Sequence, residues 1–390
     1  MKKNGILFRV ASGLLVAALT LSLTACGGSS SNSDASVAAD SADSGATHLR
    51  LIYSPSLCAA PMYIAIENGY FEDEGLDIEQ VTVDAAHVSE AIGADQVDVG
   101  MGLIGKLLQP LENGLPIKFT TGIHTGCTKL LVPGDSDIKS IADLKGKKIG
   151  IPGLADAATV VSKRSLSAAG IGVTDQNMEV EFSVYSRNDL AQALQNGAVD
   201  DPAASIAEEQ YGLTALIDTA TDPEYKDEYC CAAFVTSKLA EENPKAAAAF
   251  TRAVQKASQW VQENPDETAK IITEKEYVSG DVDFCAQILK TYNYKPSVQG
   301  GYDALKQNAE ELTQIGVLKE GTDATKFADN AYIFFDDVPD APESDASTDT
   351  ATKSTKASSA SFQPAAAAEA EDDCCSGKIT KPAQDTNAKA

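Results

Sequence analysis

SPSLCAAPMYIAIENGYFEDEGLDIE, residues 54–79, decides how the rest of this chain is read. APMYIAIENGY (60–70) predicts a helix that closes at Gly69, where a glycine can take the left-handed turn that ends helices. GLDIEQVTV (75–83) predicts a strand after it, and HLRLIYS (48–54) predicts a strand before it. Strand, helix and strand in that order are the unit of a sheet covered by helices.

Working outward, the alternation continues. VSEAIGADQ (88–96) predicts a helix, VDVGMG (97–102) a strand ending in glycines, and KLLQPLENG (106–114) a further helix. IKFTTGIHTGCTKLLV (117–132) reads as strand interrupted by His124 and Cys127. IADLKGKKIGIPG (141–153) predicts a turn and strand, followed by a helix from about 156 to 169. This rhythm predicts a mainly parallel sheet flanked by helices. After Ala233 the balance shifts to helix, with a break expected at Pro265 in the apolar pattern of residues 243–277.

The two ends have a different character. Lys2, Lys3 and Arg9 precede an apolar run from Val10 to Leu23, and small residues follow. That pattern predicts a secretory signal over residues 1–25, too short for a comfortable membrane span. Leu23-Thr24-Ala25-Cys26 resembles the bacterial lipobox, which implies a lipid on Cys26 and an anchor outside the cytoplasmic membrane. Residues 26–47 offer almost nothing to bury and are expected to be a disordered tether, and 337–390 a disordered low-complexity tail. The folded part is therefore expected over 48–336. A net charge of −26 argues against nucleic acid or an anionic lipid surface as partner.

Three stretches, in order, carry a resemblance: residues 54–79, IKSIADLKGKKIGIPG (138–153) and NPKAAAAFTRAVQKASQWVQENPDETAKII (243–272). The chain resembles the nitrate/sulfonate/taurine-type solute-binding proteins of ABC importers, relatives of the thiamine-pyrimidine synthase group, over about Leu49 to Phe335. The resemblance implies an α/β, two-lobed, periplasmic-binding-protein-like (type II) fold with two hinge strands and a ligand cleft between lobes. Lobe I is expected over about 48–124 and 232–336, and lobe II over about 128–228. It also implies a small-molecule ligand, permease and ATPase partners, a monomer, and delivery from the outer side of a bacterial membrane. One departure stands out: GAVD (197–200) is followed at once by Asp201 and Pro202, so the second lobe's sheet is either shortened or built differently.

In open α/β sheets ligands sit beyond the carboxyl ends of strands. The loops expected there hold Cys58 and Ala59, Leu103, and Asp156 with Thr159. The resemblance makes TTGIHTGCTKLLV (120–132) the outgoing crossing between lobes and EYCCAAFVTS (228–237) the returning one. Cys58, His124, Cys127, Cys230 and Cys231 are then expected in one neighbourhood, although they are far apart in sequence. Three readings compete. Free cysteine packs like a small hydrophobe. Outside the cytoplasm thiols pair as disulfides, and Cys127 could reach the returning strand. Thiolates with an imidazole also suit zinc, copper(I) or iron–sulfur chemistry, with Cys58, His124, Cys127 and Cys230 as the metal set. Adjacent strand residues point to opposite faces, so Cys230 and Cys231 both face the cleft only if the strand bulges.

No cofactor is required by this reading; a metal or metal complex enters as transported ligand. A sulfonate or a thiamine-pyrimidine-type solute, with the cysteines structural, is the alternative. Asp156 at the helix opening disfavours an anion, although a helix cap is its simpler role. A pyrimidine-synthase-like enzyme and a receptor-coupled sensor are the remaining classes, and no lysine stands in a loop fitting the synthase role. Cys285 is expected in a helix core, and Cys374 with Cys375 falls in the tail.

Overall fold

The structure, a computed structural model, describes residues 45–342 apart from 84–86, 155, 186–188, 191–192, 195–200 and 203–211. In chain order its strands are β1 (Thr47–Tyr53), β2 (Leu76–Thr82), β3 (Val99–Leu103), β4 (Ile117–Thr125), β5 (Lys129–Pro133) and β6 (Lys148–Ile151). They continue with β7 (Val173–Thr174), β8 (Asn177–Met178), β9 (Glu181–Val184), β10 (Asp201–Pro202), β11 (Leu213–Asp218) and β12 (Tyr229–Thr236). The first lobe is built on a five-stranded sheet in the order β2-β1-β3-β12-β4. The second has β10-β6-β9 and the pair β11-β5.

The helix over Ala60–Glu67 ends at Asn68, with Gly69 in the left-handed region at φ 73°. The next helix-to-strand turn leads into β2, which pairs in parallel with β1 over seven residues. The expectation of a mainly parallel sheet needs correction in the first lobe. β1 is parallel to β2 and β3, but β12 runs antiparallel to both β3 and β4. The reason is topological: β4 carries the chain out of this lobe, so the strand that returns beside it points the other way.

Both faces of this sheet are covered, which explains why β4 and β12 read as continuous apolar runs instead of alternating ones. One face packs Ile123, Ala233 and Val235 with Phe250 and Val254 of the helix Pro244–Glu263. The other packs Phe119 and Phe234 with Leu305 and Ala309 of the helix Val298–Gln314. Pro265 begins a separate helix, Pro265–Glu274, at a first-turn position where its missing N–H costs nothing.

One boundary departs from the sequence reading. The fold runs past residue 336: Asp340 accepts a hydrogen bond from the Gln299 N–H (2.7 Å), and its carbonyl accepts one from the Val298 N–H (2.9 Å). Arg252 also pairs with Asp337 at 2.6 Å. At the apparently shortened segment, β10 has two residues, paired in parallel with Ile149 and Gly150 of β6. Cys26, Cys374 and Cys375 lie outside the described residues, with the signal, most of the tether and most of the tail.

Candidate functional site

The chain leaves the first sheet at Thr125 and joins the second lobe at Lys129. Gly126 makes this crossing with φ 81°. A Cβ there would lie 2.7 Å from the Ala220 Cα, so both the backbone conformation and the close approach call for glycine. Where the outgoing crossing enters the second lobe, Thr128 is clasped by Thr219, which follows β11. The Thr128 N–H donates to Thr219 Oγ1 (3.0 Å), while the Thr219 N–H and hydroxyl donate to the Thr128 carbonyl (3.0 and 2.8 Å).

The returning strand bulges where the cysteines fall. Tyr229 pairs with Thr125 and Cys231 with His124, so two steps along β12 match one step along β4. Cys230 is the extra residue. A bulge places two residues opposite one and breaks the strict alternation of faces, which is how adjacent cysteines come to share a neighbourhood. The ligating atoms of His124, Cys127, Cys230 and Cys231 all lie within 4.8 Å of one another. Cys127 Sγ and Cys230 Sγ are 2.8 Å apart, and Cys230 Sγ lies 3.4 Å from His124 Nδ1. His124 is fully buried, Cys58, Cys127 and Cys231 are at most 3% exposed, and Cys230 is partly exposed.

Two tyrosines hold the imidazole. Tyr292 stacks on it with ring centres 5.3 Å apart and planes 6° from parallel, and Tyr294 meets it tilted at 5.0 Å. Tyr294 donates its hydroxyl proton to the Leu57 carbonyl (2.7 Å), tying the loop that carries Cys58 to the same cluster. His124 Nε2 is buried without a hydrogen-bond partner.

The charges in this cluster oppose burial. Burial favours the neutral imidazole of His124, yet the sulfur charges of Cys230 and Cys58 outweigh it and raise its pKa well above 6.5. Burial also pushes the Cys230 thiol up, but hydrogen bonds from Cys127 and Cys231 and the His124 charge bring it well below 9.0. Cys127, which gives its hydrogen bond to Cys230, and Cys231, which burial disfavours as thiolate, are both raised. The His124 and Cys230 shifts run in the same sense: each favours the charged form of its group beside the other.

On its partly exposed side Cys230 lines a cavity between the lobes, together with Thr128, Thr219, Arg164, Glu228 and Asn308. Arg164 comes from the second-lobe helix Ala157–Ala168 and Asn308 from the first-lobe helix Val298–Gln314. Glu228, just before β12, binds both: Arg164 donates two hydrogen bonds to its carboxylate (2.7 and 2.8 Å) and Asn308 a third (2.7 Å).

A two-lobed α/β chain with a pair of crossings and a cavity at their junction can be compared with known proteins. Residues 58–268, over half of the chain, match the model of the "NMT1/THI5 like" family. The chain belongs to the NMT1/THI5-like family. It is 24% identical over 231 residues to the formylaminopyrimidine-binding protein of Halalkalibacterium halodurans, covering 57% of this chain and 68% of that protein. Among solved structures it is similar to the periplasmic aliphatic sulphonate-binding protein SsuA of Escherichia coli. There the TM-score is 0.60 and the identity 17%, over 72% of this chain and 91% of that one. The periplasmic nitrate-binding protein NrtA of Synechocystis PCC 6803 gives TM-score 0.60 and 17% identity, over 74% and 86%. The NMT1/THI5-like chain thus has the two-lobed, type II periplasmic-binding-protein fold that its sequence resemblance implies.

Within that fold, the residues singled out from the sequence separate into two groups. Cys58, His124, Cys127, Cys230 and Cys231 meet at the crossings. Ala59 and Leu103 are 9% exposed at the edge of the same core, and Leu103 pairs in register with Cys231. Asp156 and Thr159 are engaged in starting their helix: the Asp156 carboxylate accepts the Ala158 N–H (2.9 Å), and the Thr159 hydroxyl donates to the Gly153 carbonyl (2.6 Å). In the expected metal set of Cys58, His124, Cys127 and Cys230, Cys231 takes the place of Cys58. Cys231 comes within reach because of the bulge, while Cys58 lies outside the mutually close set and acts on the imidazole through its charge and a hydrogen bond.

Sequence reasoning passed over Tyr292, Tyr294, Arg164, Glu228 and Asn308. TYNY (291–294) carried a usable signal, because residues two apart on an extended segment face the same way. Arg164 sits four residues after Val160 on the buried face of its helix. A charge on an apolar helix face is a flag for a buried partner.

Proposed function

We propose that this chain is the lipid-anchored, extracytoplasmic solute-binding component of an ABC importer. It captures a small molecule at the floor of the interlobe cleft, against Cys58, His124, Cys127, Cys230 and Cys231. The observation that carries this reading is the gathering of His124, Cys127, Cys230 and Cys231 at the crossings, beside a cavity that both lobes line. Family membership and the fold of the named binding proteins support it. Hinged lobes respond to a solute that binds their closed arrangement better, which shifts the equilibrium towards closure. The proposed lobes are residues 48–124 with 232–340, and 128–228, with a permease and its ATPase as partners and a lipid on Cys26.

The test is thermal melting of the reduced protein against a panel of formylaminopyrimidine, an alkanesulfonate, nitrate, a thiol compound and soft metal ions. A solute present at a hundredfold its Kd stabilises by about 2.7 kcal/mol. Most of that gain is expected to vanish when Cys127→Ser and Cys230→Ser are combined. A sulfonate or pyrimidine that stabilises the double variant as much as the parent would make the thiols packing residues and overturn the thiol-lined site. The anchor has its own check: Cys26→Ser is expected to abolish lipid labelling and move the protein from the membrane to the soluble fraction.

A further inference from the structure

The geometry points to a single metal-coordination site made by His124, Cys127, Cys230 and Cys231, taking one soft or borderline ion of the zinc or copper(I) kind. This deepens the reading of the thiol floor as the ligand site and rests on it.

Three observations carry the assignment. The donor set is three sulfurs and one imidazole nitrogen, which suits zinc and copper(I) and disfavours calcium or magnesium, whose ligands are oxygens. The four ligating atoms all lie within 4.8 Å of one another. In a tetrahedral site with Zn–S of about 2.3 Å and Zn–N of about 2.05 Å, sulfur and nitrogen lie about 3.5 Å apart. Cys230 Sγ and His124 Nδ1 are 3.4 Å apart, the right length for one edge.

One edge has to move. Two sulfurs on a tetrahedral zinc lie about 3.8 Å apart, and Cys127 Sγ is 2.8 Å from Cys230 Sγ. The two must separate by about 1 Å on loading. Both stand at irregular backbone: Cys127 follows Gly126 at the crossing, and Cys230 is the extra residue of the bulge. Cys230 also faces the cavity between the lobes, which gives an ion a route to the other three donors. The site joins the outgoing crossing, through His124 and Cys127, to the returning one, through Cys230 and Cys231.

Cobalt(II) is the probe. The purified protein, kept reduced without oxygen and stripped with a chelator, is titrated with cobalt(II) and then zinc. One equivalent is expected to give thiolate-to-cobalt charge transfer and the intense visible bands of tetrahedral coordination, both erased by one equivalent of zinc. Cys58→Ser, outside the donor set, is expected to weaken zinc binding by about tenfold, and Cys231→Ser, which removes a donor, by clearly more. Apo-protein melting identifies any variant that fails to fold, and the parent's spectrum stands apart from all variants. A parent protein that stays colourless with cobalt, or whose anaerobic mass is two hydrogens light from a Cys127–Cys230 disulfide, overturns the metal site. So does a Cys58→Ser loss that matches the Cys231→Ser loss. If an organic solute shields these thiols from alkylation while cobalt stays colourless, the metal assignment falls and the thiol-lined ligand site stands. If an organic solute binds the Cys127→Ser, Cys230→Ser protein unchanged, the thiol-lined ligand site falls.

Discussion

At the scale of single residues, the cluster depends on parts that have no chemistry of their own. Tyr294 leans on the imidazole and holds the Leu57 carbonyl. Removing its hydroxyl leaves a buried carbonyl short of a donor, a loss of about 1–2 kcal/mol. Tyr294→Phe is therefore expected to lower the urea midpoint with an unchanged slope, and to loosen the Cys58 loop, read as faster alkylation of Cys58. Gly301 gives a second case. A Cβ on it would sit 2.3 Å from the Gly122 nitrogen and 3.0 Å from its Cα. These are backbone atoms of β4, which cannot step aside as a flexible side chain would. Gly301→Ala is expected to cost about 1–3 kcal/mol in chemical denaturation, because it pushes the helix Val298–Gln314 off the strand that leads to His124.

At the scale of elements, the second-lobe helix Ala157–Ala168 is tied to the first lobe through charge. Arg164 and Glu228 are 7% and 11% exposed, and Arg164 also pairs with Glu311 of the helix Val298–Gln314. Tyr225 packs under the guanidinium at 5.2 Å. A buried pair is weak evidence of net stability, but removing one partner strands the other charge, typically at a cost of about 3–5 kcal/mol. Glu228→Gln keeps the shape and one acceptor, so a loss of about 3 kcal/mol is expected by urea titration. Because Glu228 joins both lobes beside the cavity, the same variant is expected to change solute affinity. An unchanged affinity would mean that this network only holds the fold.

At the scale of the molecule, acid sensitivity follows from pairs such as Arg50 and Asp98. Burial pushes the Asp98 carboxyl up, but hydrogen bonds from the Arg50 side chain and backbone N–H outweigh it and hold it below 3.8. A carboxylate with a lowered folded pKa stabilises above its unfolded value, and that contribution is lost as pH falls through the folded value. Asp98→Asn is therefore expected to be less stable than the parent at pH 7. The gap should narrow as pH drops below about 4. A gap that stays constant with pH would assign the loss to packing.

The alternation of strand and helix was legible because it is local: apolar spacing, a left-handed glycine at 69 and a proline at 265 act within a few residues. The family resemblance, which rested on three local stretches, carried the lobes and the crossings. That five cysteine and histidine positions converge was also legible, but only through that resemblance. The donor set was not legible. Whether Cys230 and Cys231 share a neighbourhood depends on a bulge whose register is set by β4, more than a hundred residues earlier in the chain. The sequence shows two adjacent cysteines either way. The direction of β12 beside β4, the tyrosines on His124 and the Arg164–Glu228 link are likewise pairings between distant segments. By itself, then, the sequence determined the elements, their order and which residues can ligate, since these follow from short-range backbone and side-chain preferences. Only the tertiary structure decided which four ligating atoms meet, because that depends on strand register and on packing across two lobes.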